Sequence, residues 1–319
     1  MDERGSDGWY LLAGVLVAAF VAALGGAALA DGWQNEARAL AACKPASLSC
    51  LSLGYPLLFV GVFVAVAAVW LAQRVMGTAE PEWGTLAGLA ATTGALLLWE
   101  AGQPRWVPPP TDLAALLAGA GVAVGVAVVA APLPRVLRVV FVVALAVPFA
   151  VYPTLSRETR RADLADRLDR VGLPLLVPRA DGFAVDSARA DPGRRFVHVT
   201  VDRKADPRTD LTSEDRGRTV SILVTPVPAD FAPPARCGPA AADLPVPDGA
   251  PAPSTDPCRP VGPDHWTRTE AGDEVHLLRR NDALVLVQPG WNASDRDAAT
   301  VADSLTEVAP RRLAELALG

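Results

Sequence analysis

Through the first half of the chain, polar residues come in short clusters separated by stretches that hold almost none. Five apolar runs stand out, at residues 9–30, 51–72, 83–99, 113–131 and 136–155. A helix needs about 20 apolar residues to cross a hydrocarbon core of roughly 30 Å, so the pattern predicts five transmembrane helices. The third run, WGTLAGLAATTGALLLW, is the shortest and relies on its flanks to reach the interface. The fourth and fifth are separated by PLPR, whose two prolines predict a tight turn rather than one long helix. Trp9, Trp33, Trp70, Trp83, Trp99 and Trp106 fall at or beside the predicted ends, where an amphipathic indole prefers the headgroup level.

After residue 155 the period changes. SRETRRADLADRLDRVGLP predicts an amphipathic helix with Ser156 as N-cap, apolar positions at Leu164, Leu168 and Val171, and a stop at Gly172 and Pro174. Alternating, β-branched segments then predict strands at 182–187, 195–202, 219–225, 265–270, 274–280 and 283–289. The last three are linked by AGD and ND, which read as hairpin turns. Ser294 with Asp297 forms a capping-box pattern, and Val301, Leu305 and Val308 extend it into one closing helix that Pro310 bends or ends. The fold class that follows is a multi-pass α-helical membrane domain, residues 1–155, followed by an extracytoplasmic α+β domain, residues 156–319. The second domain has one antiparallel sheet, flanking helices and a proline-rich loop at 226–263.

Charge sharpens the division. Residues 1–155 hold seven basic and nine acidic side chains, and residues 156–319 hold 22 and 26. Neither half is basic enough for a nucleic-acid footprint, which excludes nucleic acid as an expected partner. Lysine occurs only at Lys44 and Lys204 and isoleucine only at Ile222, the usage of a high-GC bacterial genome. AALA before Asp31 resembles a signal-peptidase site, but Asp2, Glu3 and Asp7 against Arg4 give the preceding segment the wrong charge for a secretory signal, and the first run is expected to be retained.

Orientation rests on the cysteines. Cys43 and Cys50 follow the first run, and Cys237 and Cys258 flank the proline-rich segment. With five spans, both couples lie on one side. Neither is a C-x-x-C redox or zinc motif, and disulfides persist outside the cytoplasm. The expectation is therefore two disulfides, an extracytoplasmic C-terminal domain and a cytoplasmic N-terminus in the plasma membrane. The basic count in the loops, Arg4, Arg74, Arg135 and Arg138 against Arg38, Lys44 and Arg105, leans the same way by one residue. Arg157, Arg160 and Arg161 after the last run pull the other way, although long domains translocate largely regardless of charge.

Candidate chemistry is sparse. Glu100 and Asp112 stand at predicted helix ends, where a carboxylate reaches water or caps a helix. Gly84 with Gly88, and Gly121 with Gly125, are small-residue pairs expected to let helices pack closely. His198, His265 and His276 all fall on predicted strands without a metal-ligand spacing. No G-x-S-x-G elbow and no glycine-rich phosphate loop occurs, so no catalytic residue, metal or other cofactor is expected. Trp266 and Trp291 are candidate interaction anchors. The expected function is binding: a sensory or accessory protein in contact with the lipid bilayer and with an envelope protein or a second copy. A transport-related role and an extracytoplasmic hydrolase are the alternatives.

Overall fold

The computed structural model of the chain describes residues 3–42, 54–77, 80–105, 107–130, 134–203, 218–229, 231–237, 257–270, 272–290 and 292–319. Cys43, Cys50, Trp106, Trp291, residues 131–133, which include part of the predicted PLPR turn, and positions 238–256 of the predicted proline-rich loop lie outside the described residues. The chain divides into two compact units, Met1–Thr159 and Arg160–Gly319.

The first unit is helical: α1 (Glu3–Ala42), α2 (Gly54–Val75), α3 (Pro81–Ala101), α4 (Thr111–Ala130) and the first part of α5 (Arg135–Val171). Pro81 opens α3 at a position whose N–H a helix leaves unpaired anyway, and the Gly102 N–H closes it by donating to the Leu98 and Trp99 carbonyls. Three segments, Leu12–Arg38, Thr111–Val129 and Val139–Val171, are long and apolar enough to cross a membrane by length and composition, and Val60–Val75 adds a shorter apolar helix.

Small residues set the packing. Gly26 meets Ala114 and Ala118 where α1 crosses α4, Gly25 meets Ala65 where α1 crosses α2, and Gly88 meets Val122 where α3 crosses α4. Each of these helix pairs runs antiparallel. Ala18, Ala22, Val69, Ala118, Val122 and Val126 form the buried centre. The larger apolar side chains, among them Phe20, Phe63, Leu116 and Val140, point outward and are exposed.

One boundary differs from expectation. Ser156 does not cap a new helix; it lies within α5, its hydroxyl donating to the Pro153 carbonyl at 3.3 Å. Pro148 and Pro153 are both inside α5. Each proline deletes one backbone hydrogen bond, and the helix-forming sequence on either side carries the helix past both.

In the second unit, seven antiparallel strands form one sheet in the order β2-β3-β4-β8-β7-β6-β5. They are β2 (Phe183–Asp191), β3 (Phe196–Arg203), β4 (Thr219–Pro226), β5 (Arg259–Gly262), β6 (His265–Glu270), β7 (Asp273–Arg280) and β8 (Ala283–Pro289). Two meanders, β2-β3-β4 and β5-β6-β7-β8, are therefore joined where β8 returns beside β4. The hairpin turns use left-handed backbone at Gly272 and Asn281, residue types that tolerate it.

Strand alternation gives the sheet two faces. On the first, Val197, Val199, Val201, Val220, Ile222, Val224, Val285 and Val287 pack against Leu164 and Leu168 of α5, Val301 of α6 (Asp295–Asp303) and Leu313 of α7 (Pro310–Ala317). The Ser294–Asp297 capping box starts α6. The single closing helix is corrected: Leu305 leaves the helix for β9 (Leu305–Glu307), which pairs with β1 (Leu176–Pro178), and the Val308 N–H donates to the Leu175 carbonyl. Sheet pairing overrides the helical period there, and Pro310 begins α7 instead of ending α6.

Candidate functional site

Three places gather polar or unusual chemistry, two in the sheet unit and one in the helical unit.

The first is a serine and a histidine. His198 on β3 and Ser221 on β4 are diagonal neighbours across the strand pair, with His198 Nε2 2.7 Å from Ser221 Oγ. Distance alone would suit a nucleophile and its base. The surroundings do not. Burial first, and then the Arg189 guanidinium, hold the His198 imidazole below the ordinary histidine range. A catalytic base needs a partner that stabilises its protonated form, and an arginine does the reverse. Both residues also sit inside regular strands, whose N–H groups are engaged with neighbouring strands and are not free to form an oxyanion hole. The pair is a cross-strand hydrogen bond of the kind that fixes register.

The second is a pair of imidazoles. His265 Nε2 lies 3.0 Å from His276 Nδ1, on β6 and β7. Burial lowers both, and for His276 the neighbouring His265 lowers it further, against Glu274, Asp303 and Asp295. Among the described residues, no group of three or more His, Cys, Asp or Glu side chains is placed to hold a metal ion. Burial thus disfavours the charged form of both rings, and the contact is a hydrogen bond between β6 and β7.

A pH dependence follows. The folded-state values of His198, His265 and His276 lie below the unfolded value of about 6.5. The unfolded chain thus binds more protons in the interval. The stability they contribute is complete above about pH 6.5 and is lost as the pH falls through the folded values. Amide exchange across β7 and β8, corrected for intrinsic rate, is expected to accelerate between pH 7.5 and pH 5. In His276→Gln the acceleration shrinks. Equal protection at both pH values would show that these rings do not resist protonation.

On the second face of the sheet, Leu277, Leu284 and Leu286 pack with Cys237 and Cys258, joined by Phe231 and Trp266. The two cysteines form a disulfide, with Cα atoms 5.7 Å apart. Trp266 meets Phe231 edge to face at 5.5 Å, so this predicted interaction anchor is half-buried against Phe231 and the disulfide. Arg268 is buried beside it, donating from Nη1 to the Cys237 carbonyl at 2.7 Å and pairing through Nη2 with Glu270. The disulfide and this arginine together hold both ends of the proline-rich loop on the sheet.

The third place is a cavity of about 440 Å³ among α1–α4. Ala22, Leu29, Val66, Leu89, Leu96 and Val122 supply apolar wall from all four helices. α2 and α3 meet at one end, where buried Gln73 donates to the Thr85 hydroxyl at 3.1 Å and Gly84 lies against the same side chain. At the other end stand Trp33, Trp99, Glu100 and Pro109. Glu100 is half-buried there, accepting a 2.8 Å hydrogen bond from the Tyr152 hydroxyl of α5, and Gln34 donates to the Pro109 carbonyl at 2.9 Å.

The remaining expected positions are equally local. Gly121 lies against Thr92, and Gly125 against the Gly88 backbone. Three residues that organise these places, Gln73, Tyr152 and Arg268, escape a reading of the sequence. Each is a polar residue at the margin of an apolar or alternating pattern, where polarity is ordinary.

Compared with known proteins, the chain matches no family model, no curated protein and no solved structure.

Proposed function

We propose that the chain is an integral membrane protein of five spans that displays its α+β unit on the extracytoplasmic side and works there by binding an envelope partner. The observation that carries this reading is the contrast between the two units. In the helical unit the small side chains face inward and Phe20, Phe63, Leu116 and Val136 are exposed at 64%, 74%, 66% and 72%, the reverse of a water-soluble bundle. The sheet unit has an ordinary buried core on its first face, and a disulfide joins Cys237 to Cys258.

Length supports the count. α1–α5 contain 40, 22, 21, 20 and 37 residues, and about 20 suffice to cross the hydrocarbon. An odd number of spans from a cytoplasmic N-terminus carries Cys237 and Cys258 outside, where a disulfide survives. The polar clusters of the sheet unit are structural contacts, which favours binding over hydrolysis.

The side is tested on intact spheroplasts with a membrane-impermeant maleimide, with and without prior reduction, followed by mapping of the labelled cysteines. Cys237 and Cys258 are expected to label only after reduction and without permeabilisation. Labelling that needs permeabilisation and no reductant would place the sheet unit in the cytoplasm and overturn both the orientation and the span count.

A further inference from the structure

We infer that the cavity among α1–α4 seats one hydrocarbon chain of a membrane phospholipid, with the lipid's polar end at the Trp33, Trp99 and Glu100 rim. The inference rests on the membrane reading above and adds an occupant to it.

The walls decide against water. Among the described residues, the lining side chains that carry polar atoms are Glu100 and the two indoles at the rim, and Thr85, Thr92 and Thr93. Thr85 is already used twice, accepting from Gln73 and donating to the Pro81 carbonyl at 2.8 Å. A buried water needs two to four polar partners, and apolar cavities stay dry. Packed interiors hold few voids larger than a water molecule, so a space of this size calls for an apolar occupant.

The space is elongated. Wall residues on α3 run from Thr85 to Glu100, about 22 Å at the helical rise, and the lining is mostly apolar over that length, a form that suits an extended polymethylene chain. The length exceeds one leaflet of hydrocarbon, about 15 Å.

α2 and α3 both line the cavity, and their neighbouring side chains Val60, Phe63, Val64 and Leu86 are exposed and apolar, so on the membrane reading hydrocarbon lies beside these two helices. Among the described residues no lysine or arginine lines the cavity, so the recognition they supply falls on the chain rather than on a phosphate. The indoles of Trp33 and Trp99 mark the level at which the polar end sits.

The full-length protein in phospholipid vesicles is to be photolabelled with a phosphatidylcholine carrying a diazirine in mid-chain, and the adducts mapped by mass spectrometry. Adducts are expected on lining residues Leu29 and Leu96 and on outward residues Phe20 and Leu116. In Thr93→Phe, or in Val66→Phe on the opposite wall, lining adducts are expected to fall at least five-fold while outward adducts persist. Outward adducts without lining adducts would overturn the inference alone, as would lining adducts undiminished in both filled variants. Absence of outward adducts would overturn the membrane reading, and the inference with it.

Discussion

Arg268→Ala is expected to destabilise the sheet unit by about 3 kcal/mol, within the range for removing one partner of a buried ion pair. The side chain is 1% exposed and that of Glu270 is 19% exposed. Truncation leaves the Glu270 carboxylate in a poorly solvated site without its cation and the Cys237 carbonyl without its donor. Each loss carries the desolvation penalty of the group left behind rather than the modest net value of one hydrogen bond. Exchange of the β6 and β7 amides in the full-length protein should accelerate more than a hundredfold, as this energy implies if those strands open together. Removing both partners separates mechanism from volume. Arg268→Met with Glu270→Leu should recover most of the protection that Arg268→Met alone loses, since a buried pair is replaceable by apolar groups of similar size. If the double variant is no better than the single, the arginine acts through packing alone.

Why Arg268 escapes a reading of the sequence shows where legibility ends. The strands were readable because Val197, Val199 and Val201, or Val220, Ile222 and Val224, repeat at the sheet period and are all buried on one face. HWTRTE has the same alternation, which places Trp266, Arg268 and Glu270 together on the other face. Nothing local says that this face is covered. The cover comes from Phe231, Cys237 and Cys258, and a long connection carries no period. The His198–Ser221 contact is hidden for a related reason: it depends on the register of β3 against β4, across 23 residues of separation. The closing helix misled in the opposite direction. Val301, Leu305 and Val308 keep helical spacing, yet β1 captures Leu305–Glu307 into a two-stranded sheet, a tertiary choice that local spacing does not encode. In the helical unit the apolar runs coincide with α1–α4 and the start of α5, because length and hydropathy alone specify a helix that size. The cavity does not show in the pattern. It is walled by four helices at once, an arrangement no single run encodes, and a single glutamine after an apolar run reads as a helix end.

The tightest helix contact gives the other large effect. Gly125→Leu is expected to disrupt the helical unit, because a Cβ at this position overlaps the Gly88 backbone itself, while a Cβ at Gly88 would come within 2.8 Å of the Val122 Cα. A flexible side chain can move aside; two helix backbones cannot without separating α3 from α4. Overpacking in a rigid contact costs about 1–3 kcal/mol and more where backbone must shift, and here the shift also disturbs Gly121 against Thr92 along the same seam. In detergent, Gly125→Leu should lose most of its monodisperse fraction on size exclusion, with an apparent Tm several degrees below that of the native chain. Gly125→Ala should show a smaller loss of the same kind. Gly102→Ala is the control, since an added Cβ there has nothing nearer than 3.5 Å and the backbone is already helical. The comparison also distinguishes the two uses of a small-residue stripe. If Gly88 and Gly125 pack α3 on α4 within one chain, Gly125→Leu lowers Tm at every protein concentration. A variant that changed only the oligomeric state, leaving the monomer's Tm intact, would instead assign the stripe to a second copy.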